Sequence, residues 1–136
     1  MKRRESHVAR LEDRASEIRQ DLIRMLTAAG SGHSAGPLGM ADVFCALYFH
    51  ILNHNPKKPD DPNRDRVFLS NGHICPIWYV TLAHAGYLSR DEMLNSLRKL
   101  GSRLQGHPHR KALSPIENPS GPLGQGLSQA AGYAYA

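Results

Sequence analysis

Asp65-Arg66-Val67-Phe68-Leu69-Ser70-Asn71-Gly72-His73 is a short β-rich run that ends in a turn. Val67, Phe68 and Leu69 suit a pleated strand, and the apolar segment that follows, from about Ile74 to Ala85, suits a helix. A strand feeding directly into a helix is half of a βαβ unit, and its natural place is a buried parallel sheet. An α/β layer fold needs several strands, and only this one is convincing. The expectation is therefore an α/β class chain: the helix-rich first part of a parallel-sheet domain, spanning residues 1–136 as one incomplete unit. The sequence stops inside a helical segment without a cap, which reads the same way.

Upstream, Leu11, Ala15, Ile18, Leu22, Met25, Leu26 and Ala29 recur at helical spacing, with Arg14, Glu17, Arg19, Gln20 and Arg24 on the other side. This predicts an amphipathic helix over Val8–Ala29. Gly30–Gly39 reads as a long small-residue break, and Met40–Leu52 as a second, well-buried helix. Asn53–Arg64 carries Pro56, Pro59 and Pro62 and reads as a loop. Downstream, Ser89 is an N-cap followed by acidic Asp91 and Glu92, predicting a short helix through Leu100. Gly101–Ser120 reads as irregular, and Leu127–Ala136 as a small-residue helix.

With 136 residues the chain can bury a modest core, but it is small for a two-substrate site, so a site here calls for a partner surface. No apolar run is long enough to cross a bilayer and Met1–Arg10 lacks a signal-peptide pattern, so a cytoplasmic location is the default expectation. The net charge of +5 is spread from Lys2 to Lys111 rather than gathered in a stripe with aromatics. That argues against nucleic acid and fits anionic small molecules or an acidic partner chain. Cys45 and Cys75 sit in apolar stretches without paired spacing and are read as buried thiols.

Three histidines, His33, His73 and His107, each follow a glycine at a loop position. A preceding glycine lets an imidazole project into a cleft, and element ends are where α/β folds place their sites. His7, His50, His54 and His84 read instead as partly buried or surface residues. The spacing of the three loop histidines is not that of a zinc site. His107 and His109 lack nearby partner ligands, so no metal ligand is assigned. Proton donation to hydroxyls or phosphate oxygens suits them better. Gly121-Pro122-Leu123-Gly124-Gln125-Gly126 is neither a Walker loop nor a dinucleotide fingerprint. It offers irregular backbone at a helix start, where an anion could bind, although a helix entry needing glycine only for packing accounts for it equally well.

Four segments in order resemble transketolase: Ser31-Gly32-His33-Ser34-Ala35-Gly36-Pro37-Leu38-Gly39-Met40-Ala41, the run Asp65–His73, Leu100-Gly101-Ser102-Arg103 with Gly106-His107-Pro108, and Gly121–Gly126. The resemblance extends from about Arg14 to the last residue. It implies a thiamine-diphosphate enzyme that passes a two-carbon ketol unit from a ketose phosphate to an aldose phosphate, as in the pentose phosphate pathway. It also implies roles for single residues. His33 lies in the substrate channel, His73 contacts cofactor and substrate, and His107 bonds substrate hydroxyls, so these three are the catalytic candidates. His73 with the backbone of Gly121, Pro122 and Leu123 is the implied cofactor-binding set.

Ser34-Ala35-Gly36 and Pro119-Ser120 depart from the commoner family residues without removing a functional group. The family's Gly-Asp-Gly and Asn ligands for Mg²⁺ and its catalytic glutamate match nothing in these residues. The resemblance thus implies Mg²⁺ with its ligands elsewhere, and a chain inactive alone that needs a second polypeptide carrying the rest, in a homo- or hetero-oligomer. The alternative is a non-catalytic remnant that acts only as an assembly module.

Overall fold

The computed structural model describes residues 2–136, with side chains from Ser6 onward. Six α-helices are seen among the described residues: α1 (Lys2–Ala29), α2 (Ala35–Gly39), α3 (Ala41–Ala46), α4 (Cys75–His84), α5 (Arg90–Asn95) and α6 (Gln125–Tyr135). A π-helical turn, Leu47–Ile51, extends α3, and a 3₁₀ turn, Gly72–Ile74, leads into α4. None of these helices is long and apolar enough to cross a membrane.

The centre is α4, apolar all round, with every residue from Cys75 to Leu82 buried. A helix without a polar face must be covered on all sides. Helices α1, α2, α3 and α5 supply that cover. From α1 the residues Ala15, Ile18, Leu22 and Met25 point inward, each at most 1% exposed, which is the stripe their 3–4 spacing predicts. Trp78 fills the middle of the core and donates from Nε1 to Tyr48 Oη at 2.5 Å. Asp21, on the same face of α1, is a buried acceptor for Arg90 of α5 (2.7 and 3.0 Å), Arg24 (2.8 Å) and His84 of α4 (3.2 Å). The Arg90 guanidinium, seconded by Arg24 and His84, holds the Asp21 carboxyl down to about 2.

Several expectations are corrected. The break at Gly30–Gly39 contains α2, whose Pro37 sits near the helix start, where its missing N–H costs no intrahelical bond. The helix opened by Ser89 forms with its cap, Ser89 Oγ accepting from Glu92 N–H at 3.1 Å, but ends at Asn95 rather than Leu100. Arg98 takes a left-handed φ of 61° and its N–H bonds back to Leu104 C=O at 2.8 Å, so the chain reverses there.

The largest difference concerns Asp65–Ser70, read as a parallel strand. Among the described residues there is no strand, and 65–69 forms no ladder. Its backbone is satisfied in other ways. The Asn118 side chain bonds both polar groups of Leu69, and Gly124 N–H donates to Ser70 C=O at 3.0 Å. A ladder needs the backbone of a neighbouring strand, and here a side chain and a helix start take that place.

Candidate functional site

The chain reverses between α1 and α2 through Gly30 and Gly32, with φ of 61° and 126°, and presents His33 exposed at the far side. A left-handed φ is cheap only for glycine. At Gly32 a Cβ would also stand 2.6 Å from the Leu26 side chain. Across from His33, the 3₁₀ turn before α4 carries His73, half-buried. Their ring centres are 5.2 Å apart and inclined at 59°. Gly36 of α2 packs closely on the same turn: a Cβ there would meet Ile74 Cγ2 at 3.0 Å and lie 3.9 Å from His73 Nε2.

The glycine-rich segment reaches the same corner. The Ser120 carbonyl oxygen occupies the space a Cβ on Gly72 would need, 1.2 Å from its ideal position. Only glycine fits there, one residue before His73. On the other side, Gly124 N–H donates to Ser70 C=O at 3.0 Å and Gly126 N–H to Ser70 Oγ at 3.1 Å. Gly121, Pro122 and Leu123 are therefore pinned at both ends to the Ser70–Gly72 corner while remaining exposed. They follow directly on Ser120, whose carbonyl stands against Gly72, the residue before His73. Buried next to them, Ser120 Oγ has no hydrogen-bond partner, an orphan donor and acceptor at the base of the loop.

His107 is brought to the same end of α4 but not to the same contact. Its loop is anchored by the Cys75 thiol, which donates to Gly106 C=O at 3.3 Å, and by Tyr79 Oη, which donates to Gln105 C=O at 2.9 Å. Burial pushes the Cys75 thiol up to about 12 and the Tyr79 phenol further above its ordinary value, so both stay neutral donors. The His107 ring is exposed and borders an open hollow of about 510 Å³, shared with Arg98, Lys99, Ser102 and Gln105. No ring contact joins it to His33 or His73 among the described residues.

Reading the sequence alone missed the supports: Gly36, Ser70, Cys75, Tyr79 and Ser120. Ser70 lies inside the Asp65–His73 run and Ser120 just before Gly121–Gly126, but neither carries a local signal for the contact it makes. Gly36 lies in the small-residue segment Gly30–Gly39, whose glycines permit close approach, but the sequence does not show that Ile74 is the neighbour.

The residues present fit one side of thiamine diphosphate. Exposed loop backbone with an unpartnered hydroxyl beneath suits an aminopyrimidine, which needs fixed donors and acceptors. For a divalent cation, no group of three or more His, Cys, Asp or Glu residues placed to hold one is present among the described residues.

Residues 11–136 match the family described as transketolase, thiamine diphosphate binding domain. Human transketolase is 42% identical over 126 residues, covering 92% of this chain and 20% of the human protein. The Treponema pallidum transketolase is 43% identical over 122 residues, covering 90% of this chain and 18% of that one. Among solved structures, transketolase from Leishmania mexicana superposes with a TM-score of 0.86 at 38% identity, covering 91% of this chain and 18% of that one. Transketolase from Campylobacter jejuni superposes with a TM-score of 0.83 at 42% identity, covering 91% and 19%. This chain thus spans about one-fifth of the length of the curated relatives it matches. It belongs to the transketolase family, within that family's thiamine diphosphate binding domain.

Proposed function

We propose that these residues supply one wall of a transketolase active site, which moves a two-carbon ketol unit from a ketose phosphate to an aldose phosphate. The observation that carries this reading is the convergence of His33 and His73, 5.2 Å apart, beside the loop 121–123 that Ser70 and Gly72 hold in place. When bound, thiamine diphosphate supplies the electron sink for cleaving and forming the carbon–carbon bond. The exposed backbone of Gly121 and Leu123 orients the aminopyrimidine, with Pro122 fixing the loop's course. The His73 imidazole holds a proton at the substrate's reacting oxygen, and His33 lines the approach. His107 donates to substrate hydroxyls from the adjoining hollow.

Polypeptide beyond these 136 residues completes the site, supplying the Mg²⁺ ligands that neutralise the diphosphate and the carboxylate that activates the cofactor. The assembled enzyme is an oligomer. Residues 1–136 alone are inactive. Service in the pentose phosphate pathway in the cytoplasm is the setting this chemistry fits.

The test is a ketol-transfer assay on this chain mixed with a polypeptide carrying the remainder of a transketolase relative. Activity in the mixture that falls roughly 100-fold or more in His73→Ala supports the reading. Activity indifferent to His33→Ala and His73→Ala overturns it.

A further inference from the structure

We propose that His7 and His50 form a surface site for one imidazole-seeking divalent cation, Zn²⁺, Ni²⁺ or Cu²⁺, which fastens the first turns of α1 to the π-helical turn after α3. These residues take no part in the corner described above. They lie 43 positions apart in sequence, yet His7 Nε2 and His50 Nδ1 are 3.1 Å from each other, with ring centres 4.6 Å apart and planes inclined at 57°. His50 is exposed and His7 half-buried.

The separation of the nitrogens has a chemical meaning. Two nitrogens 3.1 Å apart, each about 2.0–2.1 Å from a shared ion, subtend roughly 100° at it, between the square and tetrahedral angles. Small rotations of the exposed His50 ring and the half-buried His7 ring are then enough to turn a nitrogen–nitrogen contact into a chelate. As a bare pair the contact is limited, since one ring must donate and the other accept. An ion uses both lone pairs and leaves its other positions to water.

The turn carrying His50 adds a structural reason. Leu52 N–H bonds to Leu47 C=O at 2.8 Å, the widened spacing of a π turn. Such turns shift side-chain register and cluster at functional positions. The donor set also selects the ion. Two imidazoles without a carboxylate favour late first-row metals over Mg²⁺ or Ca²⁺, which require oxygen. The site is thereby separate in chemistry from any Mg²⁺ bound with diphosphate.

Titration calorimetry of the full chain with zinc chloride and then nickel chloride tests this, with magnesium chloride as the contrast. One saturable Zn²⁺ or Ni²⁺ site per chain is expected, weakened at least tenfold by either His7→Ala or His50→Ala and unchanged by His109→Ala. The thermal midpoint should rise with Zn²⁺ in the unsubstituted chain but not in the two variants. Binding that survives both substitutions, that is lost instead in His73→Ala, or that persists in unfolding concentrations of urea overturns the proposal. So does an absence of binding.

Discussion

The Asn118 carboxamide closes on both backbone polar groups of Leu69: Oδ1 accepts from Leu69 N–H at 3.0 Å, and Nδ2 donates to Leu69 C=O at 2.9 Å. Nδ2 also donates to Gln129 Oε1 of α6 at 2.7 Å, so one side chain joins the 65–70 segment to the last helix. Asn118 is 3% exposed and Leu69 is 6% exposed, so water cannot readily replace these bonds. Asn118→Ala should therefore cost about 2–3 kcal/mol, as two buried backbone groups lose their partners. Asn118→Asp keeps the acceptor but sets a carboxylate against the Leu69 carbonyl, and should cost at least as much. Urea unfolding followed by far-UV circular dichroism reads both.

Acid should loosen the α1–α4–α5 junction at Asp21. Its carboxyl is held at about 2 in the fold, against about 3.9 in an unfolded chain. A depressed carboxylate stabilises the fold fully above the unfolded value, and that contribution disappears as pH falls from about 4 through 2. Arg24 and Arg90 are 55% and 62% exposed at their side chains, so both regain water when the carboxylate is replaced. Asp21→Asn should thus cost about 1–2 kcal/mol at neutral pH, less than breaking a fully buried pair. Urea midpoints of the two proteins should converge between pH 4 and pH 2. A constant gap across that window would exclude Asp21 as the titrating group.

Both thiols should resist modification in the folded chain. Cys45 and Cys75 are 1% and 0% exposed, and burial raises both above the ordinary thiol range. Reaction with a thiol reagent needs the exposed thiolate. Labelling at pH 8 should be slow for both, and immediate once urea unfolds the protein. Rapid labelling of either under native conditions would show that α4 or α3 opens easily.

How much of this was legible in the sequence depended on whether a residue's role was local. The α1 stripe followed from spacing, the Ser89 cap from its position before Asp91 and Glu92, and the buried thiols from their apolar neighbours. Of the candidate site, the three Gly-His positions stand out by local pattern, whereas the loop 121–123 is read as a cofactor contact only through the family resemblance. What failed was non-local. The strand at 65–70 has the composition of a ladder member, but ladder formation is decided by a neighbour, and Asn118 stands there instead. The end of α5 was set by the reversal at Arg98, a left-handed residue that no propensity marks. Gly36 and Ser120 matter because of what they touch from distant parts of the chain.

The contact between Gly72 and Ser120 fixes His73 beside the loop 121–123, and one substitution probes it. The Ser120 carbonyl oxygen already lies 1.2 Å from where a Cβ on residue 72 would be, so Gly72→Ala must drive the two segments apart. The most direct measurement is calorimetric titration of thiamine diphosphate with Mg²⁺ into this chain mixed with a polypeptide carrying the remainder of a transketolase relative. Saturable binding with the unsubstituted chain, reduced at least tenfold by Gly72→Ala and by His73→Ala, is the predicted result. Equal affinity with all three chains would contradict a cofactor site at this corner.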